Sequence, residues 1–197
     1  MSLIARISGQ FDESARLARA SIEALAGPIA DAIDRLVVAL ANDRKILACG
    51  NGASACDAQH LVCALGGRFE RERPELAAVA LAGNAALLTA IADNYGFEEV
   101  FARQVRALGQ AGDALVAIAP DGASPSVIAA IGAAQDRGMH VVALTGRGGG
   151  SIAPLLGEAD VHLCVPHERV ARIQEIHRLI IHCLCDGIDS ALLGEQG

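Results

Sequence analysis

The chain has 197 residues, 52% of them hydrophobic and only 3% aromatic, and a formal net charge of -7. That length and apolar fraction suffice for one sizeable core, and an acidic balance with no Lys/Arg block excludes nucleic acid as a direct partner. Six cysteines, with no uninterrupted apolar h-region at the N-terminus, predict free thiols in a cytoplasmic protein.

Two amphipathic segments, 4–25 and 28–41, open the chain, and their charges cluster so that an apolar face needs cover. Five short apolar runs follow, at 45–49, 76–81, 114–119, 141–145 and 161–165. They are rich in Val, Ile, Leu and Ala without polar alternation, as strands covered on both faces should be. Segments of helical period separate them at 52–65, 85–92, 98–108 and 125–137, and a long one closes the chain at 169–193. The most apolar window, 76–92, is broken by Gly83-Asn84 and reads as strand, turn and helix, not as a membrane span. The whole predicts one α/β domain: N-terminal helices over 1–43, a core over 44–167 and a C-terminal helix over 168–197. Its sheet is expected to be three-layered, doubly wound, five-stranded and parallel.

Ligands of such sheets sit beyond the carboxyl ends of the strands. Three turns occupy those positions. The first, Asn51-Gly52-Ala53-Ser54, offers flexible backbone and a hydroxyl at a helix N-terminus, the arrangement that binds anions. The second runs from Ala119 through Pro120, Asp121 and Gly122 to Ser124. The third, Thr145 to Ser151, is glycine-rich with Arg147, and turn-making alone accounts for it. Cys56, His60 and Cys63 share one helix face, where the cysteines read as packing and His60 faces the proposed pocket. His177 reads equally as a buried, hydrogen-bonded histidine.

The stretches ACGNGASACDAQHLVCALGGRF, LTAIADNYGFEEVFARQVRALGQAGD and ARIQEIHRLIIHCLCDGID together resemble the sugar isomerase (SIS) domain family. More narrowly, they are similar to its phosphoheptose isomerase branch and to the DnaA initiator-associating protein DiaA. The resemblance implies a homotetramer with sugar-phosphate pockets built where subunits meet. It implies ligand-binding roles for Asn51, Gly52, Ser54, Asp93, Asn94, Asp121, Ser124 and Gln174. It also implies that His60 and His182 act as catalytic groups in an active isomerase, and that His60, Gln174 and His182 hold a metal, zinc, although no cofactor is required for binding alone.

Two departures from the isomerase pattern bear on activity. The residue four after His60, a glutamate in the isomerases, is Ala64, which cannot move a proton beside a carbonyl. The phosphate loop carries Pro120 and Asp121 in place of hydroxyl residues, so one N–H donor is lost and a negative charge is gained. These departures favour a DiaA-like, non-catalytic tetrameric scaffold that binds the replication initiator DnaA, with Leu192 and Leu193 as the partner contact. The alternatives are a phosphoheptose isomerase acting on sedoheptulose 7-phosphate through a rearranged site, and a sugar-phosphate sensor. No isomerisation at a useful rate is expected on the first reading.

Overall fold

The computed structural model describes residues 2–194. Helix α1 (Leu3–Ala41) leads into β1 (Ile46–Gly50), α2 (Ala53–Gly66), β2 (Ala78–Ala80), α3 (Ala85–Tyr95) and α4 (Glu99–Leu108). Then come β3 (Ala114–Ile118), α5 (Pro125–Asp136), β4 (His140–Gly146), β5 (Val161–Val165) and α6 (Val170–Leu193). The strands form one sheet in the order β2-β1-β3-β4-β5, every neighbouring pair parallel.

Alternate residues of each strand feed opposite layers. Ile46 and Ala48 of β1, with Val116 and Ile118 of β3, pack against α1, α2 and α6. Leu47, Cys49, Leu115 and Ala117 point the other way, into the layer of α3, α4 and α5. Each strand is therefore apolar on both faces because each face carries helices, which is why its sequence does not alternate. Buried thiols serve this packing: burial pushes Cys49 and Cys185 up to about 12 and so keeps them unreactive.

One expectation is corrected here. The two N-terminal segments are a single helix that continues through Pro28. A proline inside a helix removes one N–H donor and ordinarily kinks or ends it. Here the buried stripe of Leu17, Ser21, Leu25, Ala32, Leu36 and Ala39 runs unbroken along the packed face, so tertiary contact carries the helix across the proline. Ser2 caps its start, its hydroxyl accepting from the Ala5 amide at 3.2 Å.

The sheet order has a consequence for ligand binding. The chain leaves β1 toward β2, then returns to place β3 on the other side of β1. The switch point therefore lies between β1 and β3, whose carboxyl ends meet in register at Gly50 and Ile118.

Candidate functional site

At that switch point the turn after β1 and the turn after β3 enclose a cleft of about 220 Å³. Asn51, Ser54, Asp121, Ser124 and Gln174 line it, over an apolar floor that includes Ile118 and Val170. Glycines make the close approach possible. A side chain at Gly50 would meet the Ser54 Cβ at 2.7 Å, so α2 can start directly behind the strand end. Gly122 has φ +64°, and a Cβ there would lie 2.0 Å from the Gly149 carbonyl oxygen. The third glycine-rich turn thus buttresses the second and lines no part of the cleft.

Asn51 ties the two turns together. Its side-chain amide donates to the hydroxyls of both Ser124 and Ser126, each at 2.9 Å. Ser126 was not among the expected site residues, although a second hydroxyl two positions after Ser124 was visible in the sequence. The first turn of α2 is tightened, with the Ser54 and Ala55 amides donating to the Asn51 and Gly52 carbonyls. That narrows the set of amides left for an anion, while the helix dipole and the Ser54 hydroxyl remain. Asp121 stands at the exposed lip, where its carboxylate accepts from the Ala123 amide at 3.1 Å.

His60 of α2 and His182 of α6 face each other with their Nε2 atoms 3.0 Å apart, a hydrogen bond in which one imidazole donates and the other accepts. The Phe69 ring lies 5.6 Å from that of His182, centre to centre. Burial depresses the pKa of His60, the Arg178 guanidinium and the His182 imidazole add to this, and Asp57 opposes it. The neutral form therefore dominates at neutral pH, as proton abstraction requires.

Ser54 and His60 stand six positions apart on α2, and Gln174 and His182 eight positions apart on α6. At 1.5 Å per residue the pair sits about 9–12 Å from the cleft along the helices. An elongated sugar phosphate can bridge that distance with its phosphate at the turns.

Of the three expected zinc ligands the structure brings two together: the Nε2 atoms of His60 and His182 stand about as far apart as two imidazoles on one tetrahedral ion, while Gln174 lies two turns along α6 from His182. Among the described residues no three His, Cys, Asp or Glu side chains are grouped to hold a metal, whereas a catalytic zinc takes three protein ligands.

Other expected site residues lie elsewhere. Asp93 and Asn94 are exposed on α3 and line no part of this chain's cleft; the Asn94 amide donates to its own helix at Ala90. Ala64 is 6% exposed and belongs to the core between α2 and α6. No carboxylate stands at the position where the isomerase pattern has glutamate.

His177, on the same helix as Gln174 and His182, is fully buried and donates from Nε2 to the Thr145 carbonyl at 3.0 Å. Its Nδ1 then holds a bare lone pair, without a partner among the described residues. Burial pushes His177 down to about 4, from an ordinary imidazole value of 6.5, against the pull of the Thr145 carbonyl. The unfolded chain gains this proton first as pH falls. The stability tied to neutral His177 is therefore complete above about pH 6.5 and is lost progressively toward pH 4, by an amount on the order of 3 kcal/mol. Burial also lowers the pKa of His162, which adds to the same trend. Urea midpoints at pH 7 and pH 5 should differ clearly for the native chain and by much less for His177→Gln.

Comparison with known proteins decides the lineage. The family model described as "SIS domain" matches residues 10–146. The phosphoheptose isomerase of Azoarcus sp. (strain BH72) is 59% identical over 196 residues, covering 100% of both chains. The chain belongs to the SIS domain family, on its phosphoheptose isomerase branch. Solved structures of SIS-domain phosphoheptose isomerases superpose over nearly the whole fold. One from Neisseria gonorrhoeae is 51% identical with a TM-score of 0.92, and one from Francisella tularensis is 42% identical with a TM-score of 0.94; each match covers 96% of this chain and 100% of the other.

These findings overturn the expectation of a DiaA-like scaffold for DnaA. The features that suggested it were local, chiefly Ala64 and Asp121, in a chain 59% identical to a phosphoheptose isomerase over its full length. Leu192 and Leu193 carry no argument for an initiator contact and simply finish α6, at 36% and 38% exposure. No helix among the described residues is long and apolar enough to cross a membrane.

Proposed function

We propose that the chain is a phosphoheptose isomerase that interconverts sedoheptulose 7-phosphate and the corresponding aldoheptose 7-phosphate. The observation that carries this reading is the His60–His182 pair, set a sugar's length from a hydroxyl-lined cleft at the switch point. The full-length similarity to phosphoheptose isomerases names the substrate class.

The phosphate group occupies the cleft, held by the Ser54 and Ser124 hydroxyls and the dipole of α2, with Gln174 alongside. The reacting carbons reach the histidine pair and displace its internal hydrogen bond. The freed Nε2 lone pair of His182 removes a proton from C1 and leaves an enediolate with its charge on O2. The same nitrogen returns a proton to C2 while the O1 proton passes to O2, which leaves the aldehyde at C1 and a hydroxyl at C2. His60, held neutral, is then free to hydrogen-bond the substrate oxygens beside the reacting carbons. With Ala64 unable to serve, the pair supplies the base. A coupled assay should show turnover of sedoheptulose 7-phosphate and none of unphosphorylated sedoheptulose; equal turnover of both would remove the cleft from the account.

Asp121 limits this site. A carboxylate near a bound dianion at an exposed lip costs about 1 kcal/mol, or roughly five-fold in affinity. Asp121→Ser should lower KM for the phosphorylated substrate by about that factor with kcat unchanged, the pattern of a uniform binding effect.

Assembly as a homotetramer belongs to the same reading. Leu3, Ile4, Ile7 and Phe11 stand exposed along the start of α1, and an apolar groove between α1 and α6 is lined by Ile22, Leu25, Leu179 and Ile180. Subunit contact would cover these faces and bring Asp93 and Asn94 to a neighbouring cleft. Sedimentation at micromolar concentration is expected to give a tetramer; a monomer would refute it.

A further inference from the structure

We propose that Arg178, through its ion pair with Asp57, is a positioning residue for the His60–His182 pair. The proposal rests on the reading of that pair as the proton-transfer centre. Helices α2 and α6 meet at the site along two rungs. Asp57 precedes His60 by three residues and Arg178 precedes His182 by four, so the two rungs stand one turn apart along each helix. The first rung is the contact of Arg178 Nη2 with Asp57 Oδ1 at 2.6 Å, and the second is the imidazole contact at 3.0 Å.

The two rungs differ in how firmly they are held. The Asp57 side chain is 6% exposed, so its carboxylate is fixed by its surroundings and needs a cation; Arg178, at 37%, reaches inward to supply it. A bond from a guanidinium to a buried carboxylate is strong and directional. The imidazole pair is a single hydrogen bond at a half-buried position, and a slide of one helix by about an ångström would break it. The ion pair fixes the register that the imidazoles need. Misplacement on that scale can lower a catalysed rate by about a hundred-fold. Asp57 was visible in the sequence as a near neighbour of His60, but its partner lies 121 positions away on another helix.

The test compares Arg178→Leu, Arg178→Lys and Asp57→Asn with the native chain, each brought to equal folded concentration. Arg178→Leu should lower kcat by about ten- to a hundred-fold and leave KM within two-fold, since phosphate anchoring is remote. Arg178→Lys should recover part of the loss, and the double variant Asp57→Asn/Arg178→Leu should be no worse than the poorer single variant. A role confined to stability would shift unfolding midpoints without this split between kcat and KM. A second measurement is independent of turnover: the rate at which diethyl pyrocarbonate modifies His60 and His182, read by peptide mass spectrometry. It should rise several-fold in Arg178→Leu and little in Arg178→Lys. If the native chain shows no turnover, the isomerase reading fails while the modification rates still decide the positioning claim. Unchanged modification rates in Arg178→Leu would overturn it, as would an unchanged kcat in an active enzyme.

Discussion

Replacing His182 with asparagine is expected to lower kcat for sedoheptulose 7-phosphate isomerisation by about a hundred- to ten-thousand-fold, with a much smaller change in KM. A positioned acid–base group contributes on that scale. The expectation is sharp in this chain because the neighbouring position that could share the work is Ala64, a core residue with no proton to exchange. The phosphate end of the substrate is held by the switch-point turns, a long way from α6 position 182, so binding should persist. Steady-state kinetics on the folded variant checks it. A loss under five-fold would show that His182 is not the group that moves the proton.

The largest effect on stability is expected at Arg73. Its Nε pairs with Asp189 Oδ1 at 2.6 Å, the two side chains being 1% and 3% exposed. The same guanidinium donates to the carbonyls of Leu65 at 2.8 Å and Ala64 at 2.7 Å, so it also satisfies the last turn of α2. The second Asp189 oxygen, Oδ2, has no hydrogen-bond partner among the described residues. Arg73→Met would strand the buried carboxylate and two helix-end carbonyls, at a cost of about 3–5 kcal/mol. Asp189→Leu on top of Arg73→Met should restore part of the loss, because an apolar pair leaves no buried charge. Urea denaturation of the single and double variants measures both. A cost below about 1 kcal/mol for Arg73→Met would mean that water reaches the pair.

Much of the fold was legible because its signals are local. All five strands fall within a residue or two of the apolar runs that announced them, the shortest being β2. That strand spans only Ala78–Ala80, since it is an edge strand paired with β1 alone. The unity of α1 was hidden by Pro28, whose local penalty is outweighed by packing along α6 that no local window contains.

At the site, Asn51, Ser54, Ser124 and Gln174 were readable from turn chemistry and from the family resemblance, and the structure gathers them in one cleft. Asp57–Arg178 and Arg73–Asp189 were not readable, because each joins residues more than a hundred positions apart, the first between α2 and α6 and the second between the segment after α2 and α6. The reading as a DiaA-like scaffold failed for a related reason. It weighed two substituted positions without the three-dimensional fact that His60 and His182 face each other at hydrogen-bond distance. On the proposed function, their pairing supplies an imidazole base where the missing carboxylate left none.

The central claim is that this chain moves a proton between adjacent carbons of a heptose phosphate. Its most direct test is to incubate the unmodified protein with sedoheptulose 7-phosphate in deuterium oxide and follow the sugar by NMR. The account predicts formation of the aldoheptose 7-phosphate at an ordinary enzymatic rate, about 1 per second or faster, with solvent deuterium appearing at C2 of the product and the label abolished in His182→Asn. Recovery of unlabelled, unconverted substrate after many hours with folded protein would contradict it.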